Sequence, residues 1–257
     1  MISNTEERRD IRFKYHSPVP NSYRIPNPSK PLRNISDEVF EEFKDMAFEI
    51  GVAGLSYSKL SDDFKAEWNI DFDNVIILKY EMSPDFLYLE PSKEKCKLID
   101  DEFQEVGGFI YDIADFLREN GFEANLLNPL DDEVSLRAIA TQSNDCVILR
   151  SNMCLFKEGL NMGFFMLSTS IDNLSFKEEN DMLWAAKYCE TCGKCINKCP
   201  LNAYDENEKV LRKVCTTHSE GCNDCVLNCP FFKKGYDFLE KKFKKKLENM
   251  QLKLLRP

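Results

Sequence analysis

Apolar residues in this 257-residue chain fall into three stretches of helical period, separated by short uninterrupted runs. Phe40, Phe43, Ala47 and Ile50 share one face of a helix that opens at Ser36. Ser36 is a suitable N-cap, Asp37 and Glu38 sit where carboxylates favour the helix dipole, and Gly51 is a natural stop. Phe103, Val106, Ile110, Ala114 and Leu117 place a second helix over residues 102–120, closed by Gly121. Between and beyond these, residues 52–57, 75–80, 122–127, 146–149, 153–156 and 164–168 read as strands, with a short helix near 134–140. The Val75-Ile76-Ile77-Leu78 run lacks alternation, as in a strand covered on both faces. The pattern predicts a mixed body of class α/β or α+β ending near residue 180.

The third helical stretch, residues 235–256, sets Leu239, Phe243, Leu247, Met250 and Leu254 on one face and lysines on the other. It reads as a packed C-terminal helix with a solvated basic side, which also offers a surface to an acidic partner. At the other end, Pro18, Pro20, Pro26, Pro28 and Pro31 make residues 1–35 an extended arm. Arg8-Arg9 lacks the apolar segment an export signal needs, so the arm is read as mature chain.

Charge sharpens this picture. The chain carries a net charge of −10, yet residues 233–257 hold nine Lys and Arg against three acidic residues, leaving 25 basic and 41 acidic residues elsewhere. An acidic body disfavours nucleic acid as a partner. No apolar run reaches the roughly 18–20 residues a membrane helix requires, and a cytoplasmic protein is expected. Only two histidines, His16 and His218, are present, which argues against histidine-based catalysis or a histidine-rich metal site.

Eight of the eleven cysteines lie between 189 and 229. Clustered thiols in a chain of this kind point to metal rather than disulfides. Cys189-x2-Cys192-x2-Cys195-x3-Cys199-Pro200 is the run used by bacterial two-cluster ferredoxins, in which the fourth cysteine ligates the other cluster. The second set, Cys215-x6-Cys222-x2-Cys225-x3-Cys229-Pro230, stretches its first gap. By cross-over, cluster one takes Cys189, Cys192, Cys195 and Cys229, and cluster two takes Cys199, Cys215, Cys222 and Cys225. Zinc is the competing occupant, because CxxC pairs also bind zinc, although zinc ribbons separate their pairs by longer loops. The remaining Cys96, Cys146 and Cys154 read as small buried hydrophobes.

The order of body first and cubanes last, with Cys199-Pro200-Leu201-Asn202-Ala203 and the stretched second motif, resembles the epoxyqueuosine reductase and reductive dehalogenase superfamily. The stretch from Leu149 to Phe156, Gly159 to Phe165, Thr169 to Asp172, and Asn74 to Ile77 carry the likeness upstream. The resemblance implies an α+β, nitroreductase-like body (36–182), a ferredoxin-like module with two [4Fe–4S] clusters (183–232) and the basic helix (233–257). It also implies a corrinoid in the body touched by Arg150 and Asn152, a proton donor at Asp131, and a ferredoxin or flavodoxin as electron donor. Here Arg150-Ser151 replaces the family's Gly-Lys, and Asp131-Asp132-Glu133-Val134 its Asp-Ser-Ala-Pro. Two functions are expected from this: a reductase relaying single electrons through the clusters to a cofactor, or an electron-transfer protein that serves or reactivates a partner metalloenzyme without a substrate of its own.

Overall fold

The computed structural model describes residues 16–68, 73–127 and 135–254. Its body is a four-stranded antiparallel sheet in the order β1 (Val52–Lys59), β2 (Asn74–Glu81), β6 (Met162–Thr169) and β3 (Ala124–Leu126). The class is therefore α+β, and β2 is the fully covered strand its continuous apolar run predicts.

Period-two alternation on β2 divides the core. Ile76, Leu78 and Tyr80 face α1 (Asp37–Glu49) and α3 (Lys93–Glu119), joining Phe43, Ala47, Ile110, Ile113, Ala114 and Leu117. Val75 and Ile77 face the opposite way, towards Leu136, Ile139 and Ala140 of α4 (Leu136–Gln142) and towards Phe156 and Met166. Cys146 and Cys154 belong to this second core, at either end of the hairpin of β4 (Val147–Ile148) and β5 (Cys154–Leu155). Close packing leaves little slack at Gly163, opposite Tyr80, where a Cβ would lie 2.2 Å from the phenol ring. Gly163→Ala is expected to cost about 1–3 kcal/mol by overpacking, and a thermal melt lowered by several degrees checks it.

Two boundaries differ from the sequence expectation. α3 starts at Lys93, nine residues before 102, because Ser92 caps it by accepting from the Lys95 amide at 3.0 Å. Its first turns are polar, and apolar periodicity alone passes over them. A further short helix, α2 (Asp62–Trp68), has no strong apolar face and was not anticipated.

The described part of the arm, residues 16–35, has no regular structure, yet it is fastened to α3. Asp115, 3% exposed, accepts from the Arg24 amide at 2.8 Å and the Ile25 amide at 3.2 Å. Arg118 donates to the Ile25 carbonyl at 2.7 Å and lies over the Tyr23 ring. Val19 is buried on Gly107, where a Cβ would come within 2.6 Å of its side chain. Residues 1–15 of the arm lie outside the described residues.

A third core ties the body to the C-terminal region. Val147, Leu149, Leu155 and Leu160 pack with Met182, Ala185, Val226, Phe231, Tyr236 and Leu239. α10 (Tyr236–Leu254) docks through Leu239 and through Phe243, whose ring lies 5.4 Å from that of Trp184. Leu247 is 45% exposed, so the packing made by Leu239 and Phe243 does not extend to it, and the side chains of Met250 and Leu254 lie outside the described ones. Among the described residues no helix is long and apolar enough to cross a membrane.

Candidate metal centre

The cysteines sit on a succession of very short helices. Cys189 and Cys192 belong to α5 (Leu183–Cys192), Cys195 to α6 (Lys194–Asn197) and Cys225 to α8 (Asp224–Leu227); Cys229 is the N-cap of α9 (Pro230–Lys234). Cys215 and Cys222 flank α7 (Thr217–Glu220). Gly193 ends α5 in the left-handed region (φ 58°) and Gly221 ends α7 in the same way (φ 66°). Glycine adopts that conformation without strain, and each reversal turns the next thiol back towards a common interior.

Four of the eight thiols border one pocket: Cys189, Cys192 and Cys195 from the first motif, and Cys229 from the second. Leu149, Tyr188 and Phe231 supply its apolar wall, and Ser151 lies on the body side. Among the described residues no three His, Cys, Asp or Glu side chains gather around a point one metal ion could occupy. The four thiols share the lining of that one pocket.

The sulfurs are met by amides. The Arg150 N–H donates to Cys189 Sγ at 3.3 Å, and the Ala203 N–H to Cys199 Sγ at 3.3 Å. Burial pushes the Tyr204 hydroxyl up, and the neighbouring Cys195, Cys225 and Cys199 add to the rise. Cys225 in turn feels Cys215 and Cys222. Burial pushes Cys225 up to about 12 and Cys229 up to about 11, with neighbouring cysteines adding to the rise at Cys225. Desolvation opposes bare thiolates at these positions.

Behind Cys222 lies Lys95, 1% exposed, its ammonium donating to the Leu89 carbonyl at 2.7 Å and to Asn223 Oδ1 at 2.9 Å. Burial pushes Lys95 down, while the nearby Cys222 and Asp224 oppose the shift. The thiol of Cys96 donates to the His218 carbonyl at 2.9 Å. The two histidines meet across the chain, His218 Nδ1 lying 3.3 Å from His16 Nε2, and His16 Nδ1 contacts Asp100 at 3.1 Å.

Arg150 and Asn152 occupy the turn between β4 and β5 that faces the cavity. Arg150 pairs with Glu208. Asn152 adopts φ 63°, its amide donating to the Leu149 carbonyl at 2.8 Å and its own carbonyl accepting from Arg137 at 2.8 Å. Asp131 lies outside the described residues.

Ser151, Tyr204 and Lys95 are the neighbours that sequence reasoning did not single out as site residues. Tyr204 carried a faint signal, five residues after Cys199 in an otherwise polar loop. Lys95 carried none, since it reads as one more charge on a helix start.

No protein-family model and no curated protein matches the sequence. Solved structures do. A catabolic reductive dehalogenase, NpRdhA, superposes with a TM-score of 0.61 at 14% identity over 75% of this chain and 32% of its own. A reductive dehalogenase described with a mechanism for B12-dependent dehalogenation gives 0.58 at 14% identity, over 88% and 35%. Epoxyqueuosine reductase from Streptococcus thermophilus gives 0.50 at 14% identity, over 76% and 66%. This chain thus has the fold those enzymes share, spanning about a third of the dehalogenases' length and just under two thirds of the epoxyqueuosine reductase's.

Proposed function

From that shared fold we propose that the chain is an iron–sulfur oxidoreductase, passing single electrons through two [4Fe–4S] clusters into its N-terminal body. Cluster one takes Cys189, Cys192, Cys195 and Cys229, and cluster two takes Cys199, Cys215, Cys222 and Cys225. The observation that carries the reading is the cavity bordered by three cysteines of the first motif and one of the second. The donor set is all thiol, and the Arg150 amide suits sulfur that carries negative charge.

The cysteines assigned to cluster one share their pocket with Leu149 and Ser151 of the body, which supports cluster one as the exit of the relay and cluster two as its entry. All four cysteines assigned to cluster two are only partly covered, whereas two of the four assigned to cluster one, Cys195 and Cys229, are buried.

For the acceptor, the fold likeness to a B12-dependent dehalogenase points to a corrinoid, which when bound would supply a cobalt centre reducible one electron at a time. Arg150 commits its amide to Cys189 and its guanidinium to Glu208, which suits a cluster contact better than a corrinoid contact. Asn152, on the same turn, is the chain's own candidate for the macrocycle. Asp131 is kept as the proposed proton donor on the family resemblance alone.

The test is anaerobic purification with added cobalamin, followed by iron, sulfide, zinc and visible-spectrum measurements. About eight irons and eight sulfides per chain with retained cobalamin are expected. Eight irons without cobalamin would leave an electron-transfer protein that serves a partner, and zinc without sulfide would overturn both iron–sulfur readings.

A further inference from the structure

Ser151 sits in the tight turn between β4 and β5, where the Asn152 amide closes on the Leu149 carbonyl at 2.8 Å. Its side chain is on the wall of the cavity ringed by Cys189, Cys192, Cys195 and Cys229. The residue is 7% exposed, and its hydroxyl oxygen is buried with no hydrogen-bond partner. Buried hydroxyls are rarely left so, because an unmade hydrogen bond carries the full cost of desolvation. Its neighbours in the turn show what the site lacks: the amide of Arg150, one residue earlier, already donates to Cys189 Sγ. The orphan therefore belongs to a residue whose pocket is otherwise lined by the four thiols, by apolar side chains and by Gly193 and Lys194.

We infer that the Ser151 hydroxyl is a tuning donor, hydrogen-bonded to a sulfur of cluster one and setting that cluster's reduction potential from the body side. The inference rests on the proposed function, since it requires a cluster in the cavity. Hydrogen bonds to cluster sulfurs favour the more negative, reduced state and so raise the potential. Cluster two gains nothing from this residue, because its thiols lie beyond the cavity. Ser151 thus makes the exit cluster the better electron acceptor of the pair, which favours flow from cluster two to cluster one.

The experiment is a redox titration of the full chain with both clusters loaded, followed by electron paramagnetic resonance. The two signals are assigned beforehand with Cys192→Ala and Cys222→Ala. In Ser151→Ala the equilibrium constant for reducing cluster one is expected to fall about tenfold, or about 59 mV for one electron, while cluster two stays unchanged. Ser151→Thr, which keeps the hydroxyl, is expected to hold the wild-type midpoint. Deuterium exchange should further reveal a solvent-exchangeable proton coupled to cluster one in wild type and missing from Ser151→Ala, a readout independent of turnover.

An unchanged cluster-one midpoint in Ser151→Ala, or equal shifts in both clusters, would overturn the assignment. So would Ser151→Thr shifting as far as alanine. A wild-type chain that holds no cluster would instead bring down the proposed function itself, and iron and sulfide content distinguishes that failure from the others.

Discussion

Cys229→Ala is expected to abolish the same cluster as Cys192→Ala, although 37 residues separate them, and to leave the cluster held by Cys222 intact. Each variant should retain about four of eight irons and lose one of two paramagnetic signals, the same one in both cases. Cys199→Ala should remove the other signal, together with Cys222→Ala. The physical ground is the cavity that Cys229 shares with Cys189, Cys192 and Cys195. Cys229 reaches it because Pro230 opens α9 and starts the chain in a new direction at that residue. If Cys229 and Cys222 variants lost the same signal, the cross-over pairing would be wrong and each motif would hold its own cluster.

The second large effect lies in the body. Asp145→Ala is expected to destabilise the fold by about 3–5 kcal/mol, because it strands a lysine in the interior. Lys79 is wholly buried on β2, and its ammonium contacts Asp145 at 3.1 Å and Glu158 at 2.5 Å. Asp145 also accepts from Ser56 at 2.5 Å and pairs with Lys177. Burial pushes the Asp145 carboxyl up, but the hydrogen bonds from Lys177 and Ser56 and the charge of Lys79 outweigh it and hold it below the usual carboxylate range.

A carboxylate depressed in the folded state contributes stability that is present above its unfolded value, about 3.9, and lost as pH falls through the folded one. Wild type should therefore lose stability below about pH 4 in a way that Asp145→Ala does not. In a chain of this size the loss at neutral pH corresponds to a melting temperature lower by on the order of 10 °C. Lys79→Met with Asp145→Ala should recover part of that loss, since the double change removes the stranded charge. A single variant melting within a degree or two of wild type would show that Glu158 alone suffices for Lys79.

Both effects depend on contacts between segments far apart in sequence, and that is where sequence reading stops. β2 was legible because its continuous apolar run admits one interpretation, a strand covered on both faces. The α1 cap at Ser36 was legible because capping is local: the Ser36 side chain accepts from the Val39 amide three residues on. The thiol motifs were legible for the same reason, since ligand spacing of two or three residues is set by one turn of chain. The start of α3 was not, because its first turns are polar and its cap serine looks like any serine in a loop. Lys79 has no partner close to it in sequence; only the placement of Asp145 and Glu158 beside it gives its buried ammonium partners.

The sequence by itself determined the chain's local grammar: a mixed order of helices and strands, a C-terminal run of eight cysteines at cluster spacing, and a basic last helix. Helical period, strand period and ligand spacing all act over a few residues, so they survive in one dimension. The tertiary structure decided what those cysteines face. It set the Arg150 amide against the Cys189 sulfur and buried the Ser151 hydroxyl beside the pocket. Those outcomes depend on side chains converging from separate segments through packing of the third core, and no spacing within a segment encodes them.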